Sequence, residues 1–256
     1  LEEKKMNKKL GLSSKIIIAL DVSTRESALS LVEKLPEAEV FKIGLKLFTA
    51  EGPSLLRELH TAGKRIFLDL KLHDIPNTVS GAVEMAVRHE VAMMTLHASG
   101  GKEMLAEAVK TAAQAAKDTG RSRPLLLAVT VLTSLQDAQL KEIGFQADTA
   151  EQVLKLARLS RETGVDGIVC SPLELDLIRR EFPSDFLIVT PGIRPLWAAA
   201  QDQKRIMTPA QAQAKGADYI VIGRPVIKAA SPQKAFQKIS EELYSPESGS
   251  NSKNSS

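Results

Sequence analysis

Short apolar runs alternate with longer stretches of helical periodicity along most of this chain. Nearly continuous runs of Ile, Val, Leu and Met read as strands buried on both faces. They fall at residues 16–22, 40–45, 92–97, 124–131, 167–170, 186–190 and 219–222, with a further one running from about 66 into a charged stretch. Between them the spacing predicts helices. Ser23-Thr24, followed by Glu26 and Ser27, opens one that ends near Leu35. Others are expected at about 53–60 (stopped by Gly63), 79–88, 102–117, 150–163, 172–181 and 232–244.

Eight strands, each followed by a helix, predict an α/β fold: a closed (β/α)8 TIM barrel, a single domain over residues 15–244. An open doubly wound sheet would want a Gly-rich turn after the first strand, and Asp21-Val-Ser-Thr24 offers none. Residues 1–14 are polar and without periodicity and are expected to be flexible, with Met6 a candidate natural start. Residues 245–256, rich in Ser and Asn, cannot bury a core and are expected to be disordered.

A chain of 256 residues is long enough for one large core. The net charge of +3 is carried largely by Lys4, Lys5, Lys8, Lys9 and Lys15, so the folded body is near neutral and no nucleic-acid surface is expected. The one cysteine, Cys170, excludes an intramolecular disulfide and, within Ile168-Val-Cys170, reads as core. No apolar run approaches the ~18 residues of a membrane span. The basic N-terminal cluster precedes no signal-like apolar segment, so a cytoplasmic protein with no membrane partner is expected.

The chemistry gathers in Phe67-Leu-Asp-Leu-Lys-Leu-His-Asp-Ile-Pro-Asn-Thr78. Asp69 and Lys71 are two apart, so both leave the same face of a strand, while Leu70 and Leu72 point the other way. Asp74 follows just past the strand. Opposite charges at the end of a buried strand are costly unless paired, and a structural ion pair is the plainer alternative to a site. The carboxyl ends of barrel strands form the active face, however, and the other ends carry comparable groups. They are Asp21, Lys42, His97 with Ser99, Thr130 with Thr133 and Ser134, Ser171, Pro191-Gly-Ile-Arg194, and Gly223-Arg224.

The last two ends sit where such barrels hold phosphate. Gly192 and Gly223 allow close backbone approach, and the Arg194 and Arg224 guanidinia suit phosphate oxygens. The polar connection 195–207, with Gln201 and Gln203, is long enough to be a lid. His97, on an apolar background, reads as a hydrogen-bonded rim residue. His73 is given no role, because its row matters only if the strand continues. No His or Cys cluster has metal-ligand spacing, and neither a metal nor an organic cofactor is expected.

With Asp-Leu-Lys-Leu-His-Asp at 69–74, Lys42 in Phe-Lys-Ile-Gly, Pro-Gly-Ile-Arg at 191–194 and Ile-Gly-Arg-Pro at 222–225, the chain resembles the orotidine 5′-phosphate decarboxylase family over about residues 16–239. The resemblance implies cofactor-independent loss of CO2 from orotidine 5′-phosphate to give uridine 5′-phosphate, the last step of de novo UMP biosynthesis. It implies catalytic roles for Lys42, Asp69, Lys71 and Asp74, with Lys71 protonating C6. It also implies a homodimer in which Asp74, Ile75 and Thr78 cross to the neighbouring subunit's site. Asp21, Lys42 and Thr78 would hold the ribose, Thr133 and Ser134 the pyrimidine, and Pro191 would lie by the ring. Arg194, Gln203, Gly223 and Arg224 would hold the 5′-phosphate.

Two other readings use the same residues differently. Magnesium-dependent sugar-phosphate decarboxylases or aldolases of this barrel superfamily share the Asp-x-Lys-x-x-Asp stretch but place an acidic residue where this chain has Lys42. A non-catalytic phosphate-ligand sensor would need the Arg194 and Arg224 corner but has no use for four charges on the second and third strands.

Overall fold

A computed structural model describes residues 15–182, 185–198 and 207–244. Eight parallel strands close into a barrel in sequence order: β1 Ile16–Ala19, β2 Val40–Gly44, β3 Arg65–Leu72, β4 Met93–His97, β5 Leu125–Val129, β6 Gly167–Val169, β7 Leu187–Pro191 and β8 Tyr219–Ile222. Closure comes from β1 against β8, with Ile17 opposite Val221. The expected (β/α)8 barrel is therefore the fold. The segments 1–14 and 245–256 lie outside the described residues.

Strand parity sorts the side chains into two cores. Ile17, Val40, Phe67, Met93, Leu127, Val189 and Val221 point inward and fill the barrel. Ile18, Phe41, Ile66, Met94, Leu126, Ile168, Ile188 and Ile220 point outward under the helices. The interior is packed tightly enough that β6 carries no side chain at one level. A Cβ on Gly167 would lie 2.2 Å from the Leu187 carbonyl oxygen. The inward rows are apolar through the middle of the barrel, with Arg65 meeting Tyr219 at the amino end and the aspartates and lysines gathered at the carboxyl end.

Helix starts follow local chemistry. Thr24 caps the helix Arg25–Glu33 by accepting from the Ser27 N–H, as the sequence predicts. The helix after β3 runs over Pro76–Arg88, three residues earlier than periodicity suggested, because Pro76 occupies a first-turn position that needs no N–H donor. Among the described residues, four short α-helices fall where the sequence predicts none: Leu45–Glu51, Asp137–Glu142, Pro209–Ala214 and Arg224–Ile227. Each is seven residues or fewer, too short to establish an apolar period.

At the barrel's opposite end, ion pairs tie strand starts together. Asp166 accepts from Arg123 at 2.7 Å and from the Leu126 N–H at 2.8 Å. Asp218 pairs with Arg179 and accepts from the Ile188 N–H at 2.7 Å. These bonds pin β5 to β6 and β7 to β8, leaving the carboxyl ends to carry the site. Among the described residues no helix is long and apolar enough to cross a membrane.

Candidate active site

The carboxyl ends of β1, β2 and β3 bring four charges into one alternating line. Lys42 Nζ lies 3.5 Å from Asp21 Oδ1 and 3.5 Å from Asp69 Oδ2, and Lys71 Nζ lies 2.8 Å from Asp69 Oδ1. The Asp69 and Lys42 side chains are only 12% and 13% exposed, so each depends on its neighbours for charge compensation. Burial pushes the Asp69 carboxyl up, but the Lys42 and Lys71 ammoniums and hydrogen bonds from Lys71 and Thr95 outweigh it. Asp69 therefore titrates below the usual carboxylate range. A cavity of about 270 Å³ opens over this line, walled by Leu45 and Lys46.

The strand that supplies Asp69 and Lys71 is not regular. Leu68 pairs with Met94 and Leu72 with Leu96, so Asp69, Leu70 and Lys71 lie opposite the single residue Thr95. The bulge puts Lys71 at φ +50, a left-handed conformation uncommon for a residue with a side chain. Leu70 and Leu72 still pack on the outer core, as strand parity predicts.

Other predicted residues fall around the same mouth. Asp74 is exposed and accepts from the Ile75 N–H at 2.7 Å, outside the ion-paired line. Ile75 is 66% exposed, and Thr78 lies exposed in the first turn of Pro76–Arg88. Thr133 and Ser134 are exposed on the turn after β5. Pro191 ends β7 in the inward row. Arg194 is half-buried and Arg224 exposed, and Gln203 lies outside the described residues, as does most of the connection expected to act as a lid. Its base is closed by an Arg194 N–H bond to the Met207 carbonyl at 3.1 Å.

The two mouth glycines have different reasons for being glycine. Gly192 turns at φ +80 in open space, whereas a Cβ on Gly223 would crowd Asp21 Oδ2 at 3.2 Å. Gly223 thus makes room for the first carboxylate of the line.

Three strand-end groups behave otherwise than the sequence suggested. Thr130 is buried, and its hydroxyl is spent on the Val169 carbonyl at 3.1 Å. Ser171 caps the short turn Pro172–Glu174 by accepting from the Leu173 N–H. His97, expected to be hydrogen-bonded, has a buried Nδ1 without a partner among the described residues. Burial together with the charges of His73 and Lys71 holds its pKa down, and its ring lies 5.4 Å from that of His73. Cys170 is buried, and desolvation with the nearby Glu174 carboxylate drives its thiol far up, so it is core as predicted.

Two residues at the site were missed by the sequence reading. Lys46 belongs to the unrecognised helix Leu45–Glu51. Thr95 touches both Lys71 and Asp69, and the available signal was its parity with His97 on β4, the one polar residue in that inward row below the rim. Among the described residues no group of three or more His, Cys, Asp or Glu side chains converges to hold a metal ion.

A closed parallel barrel with an alternating aspartate–lysine line at its carboxyl-end mouth is a (β/α)8 barrel of the enzyme type. Residues 14–239 match the orotidine 5′-phosphate decarboxylase / HUMPS family, and the chain belongs to it. It is 46% identical over 233 residues to an orotidine 5′-phosphate decarboxylase of Gloeothece citriformis, covering 91% of this chain and 98% of that one. It is 47% identical over 232 residues to that of Nostoc sp., covering 90% and 98%. A crystal structure of orotidine 5′-phosphate decarboxylase from Lactobacillus acidophilus superposes with a TM-score of 0.81 at 38% identity, covering 91% of this chain and all of that one.

Proposed function

We propose that this chain is a lyase that decarboxylates orotidine 5′-phosphate to uridine 5′-phosphate and CO2, with Lys71 as the group that protonates C6. Family membership carries the reaction and its place in UMP biosynthesis. The alternating Asp21–Lys42–Asp69–Lys71 line is the observation that supports the residue roles.

When the C6–carboxylate bond breaks, its electron pair stays on C6 in the ring plane, where the π system cannot delocalise it. Stabilisation must then come from a positive charge fixed beforehand, because a preorganised charge needs no reorganisation in the transition state. The Lys71 ammonium, held by Asp69, is such a charge. It transfers a proton to C6, giving uridylate, and is reprotonated from solvent. Asp69 near the departing carboxylate would raise the ground state, a smaller contribution than that of Lys71. Asp21 and Lys42 would hold the ribose, Thr133, Ser134 and Pro191 the ring, and Arg194, Gln203, Gly223 and Arg224 the phosphate.

The site is read as shared in a homodimer. Asp74 is exposed and outside the ion-paired line of its own chain, beside the 66% exposed Ile75, which suits delivery of Asp74, Ile75 and Thr78 to a second copy.

Lys42 argues against the magnesium-dependent relatives. Its ammonium sits 3.5 Å from two carboxylates, in the space a divalent cation would need between them. The test is to add orotidine 5′-phosphate to EDTA-treated protein and follow the ultraviolet change as uridylate forms. Rapid turnover that disappears in Lys71→Ala is expected. Turnover only of sugar phosphates, or only with added magnesium, would move the chain to the other branch.

A further inference from the structure

We propose that Thr95 is a positioning residue for the decarboxylation, its hydroxyl locking Lys71 and Asp69 into one rigid unit. The proposal rests on the assignment of those two residues to the reacting centre.

The bulge in β3 creates a specific problem. Three residues of β3 face one of β4, so the ladder between Leu68 and Leu72 is interrupted at the place where the site needs its lysine. A buried backbone N–H left without an acceptor is costly. The Lys71 N–H takes Thr95 Oγ1 instead, at 2.8 Å. A threonine side chain thus stands in for the missing ladder bond at the residue with φ +50.

The hydroxyl has one proton of its own to place. It goes to Asp69 Oδ1 at 3.0 Å, the oxygen that also accepts from Lys71 Nζ at 2.8 Å. The result is a closed ring: Lys71 backbone to Thr95, Thr95 to Asp69, and Asp69 back to the Lys71 side chain. Both ends of Lys71 are fixed against one carboxylate oxygen. Thr95 is 1% exposed, so no solvent competes for either bond. The other charged and titratable groups about Asp69 are Lys42 from β2 with Asp21 beyond it, Lys46 on the cavity wall, and His97 on β4 with His73 beside it. None of them supplies a bond to the Lys71 backbone.

Hydroxyl removal at nearly constant shape isolates this function. Thr95→Val should lower kcat by on the order of 10²-fold with KM for orotidine 5′-phosphate little changed, because slight misplacement of a reacting group costs rate rather than binding. The acid limb of the kcat–pH profile should move to higher pH, since Asp69 loses a donor that favours its ionised form. Thr95→Ser, which keeps the hydroxyl, should restore most of kcat and the original pH limb. Should Thr95→Val not fold, Thr95→Cys, whose S–H is a weak donor and acceptor, carries the same comparison. Wild-type kcat and pH profile in the hydroxyl-free variant overturn the proposal. So does a loss of activity that Thr95→Ser shares in proportion to lost melting temperature, with the pH limb unmoved. Wild-type protein that does not turn over orotidine 5′-phosphate is a different outcome, and overturns the assigned reaction instead.

Discussion

The Lys71 ammonium lies 2.8 Å from Asp69 Oδ1, although the bulge between them takes Lys71 out of regular strand geometry. Asp69 is also faced by Lys42 at 3.5 Å, so it keeps one cationic neighbour when Lys71 is removed. Lys71→Ala should therefore fold and still bind uridylate while losing at least ~10⁴-fold in kcat, the combined scale of a lost charge stabiliser and a lost proton donor. Single-turnover kinetics with binding of uridylate measured alongside separate the two. Asp69→Asn should be the less stable of the pair, because it leaves two neighbouring ammoniums without their shared carboxylate.

Asp74 accepts from its own neighbour's N–H and stays outside the charge line of its own chain. If it serves a second copy, inactive Lys71→Ala and Asp74→Ala proteins should regain activity when co-refolded, since half of the sites in a heterodimer would be intact. No recovery, with heterodimers demonstrated by native mass spectrometry, would make each chain self-contained.

Arg224 stands at the opening of the short helix after β8, with β1 and β2 between that strand and the one that carries Lys71, and its effect on rate should come through the phosphate. Phosphate binding energy can be used to assemble the charged end of the site. Arg224→Ala should lose roughly 3 kcal/mol in kcat/KM, the scale of a charge-assisted contact. Inorganic phosphite or phosphate added to orotidine lacking its 5′-phosphate should stimulate wild type more than the variant.

Glu174, in the short turn after β6, connects pH to stability. Burial raises its pKa from the ordinary 4.5 to about 7, against hydrogen bonds from Ser171. Between those values the folded protein holds a proton that the unfolded chain releases. Stability thus falls as pH climbs from about 4.5 to 7, and the loss is complete above that window. Glu174→Gln should gain melting temperature relative to wild type at pH 8 and little at pH 4.5. An equal difference at both pH values would place the effect in packing rather than protonation.

Much of the architecture was legible because each strand of a parallel barrel is buried on both faces, and its apolar run is hard to mistake. Asp21, Lys42, Asp69 and Lys71 were legible for the converse reason: a charge at the end of such a run is too costly to stand there without a partner or a task. What could not be read was geometry finer than parity. The two-residue spacing of Asp69 and Lys71 predicts a shared face, yet says nothing of a bulge or of a left-handed lysine. Thr95 carries no signal of its own in the sequence because threonine in a strand is ordinary, and only the interrupted ladder makes its hydroxyl necessary. Thr130 shows the same limit from the other side, a strand-end hydroxyl whose bond to Val169 removes it from the mouth.

The left-handed Lys71 has a bearing on how this protein could be improved. A side chain at that backbone conformation costs on the order of 1 kcal/mol or more, a strain that glycine would relieve. Neither glycine nor asparagine carries an ammonium. A search for heat-resistant variants that scored folding alone would be drawn to position 71 and would return robust barrels without the ammonium that the proposed chemistry needs. Thermal tolerance must instead be sought at the other end of the barrel, around pairs such as Arg123–Asp166, where firmness and turnover do not compete.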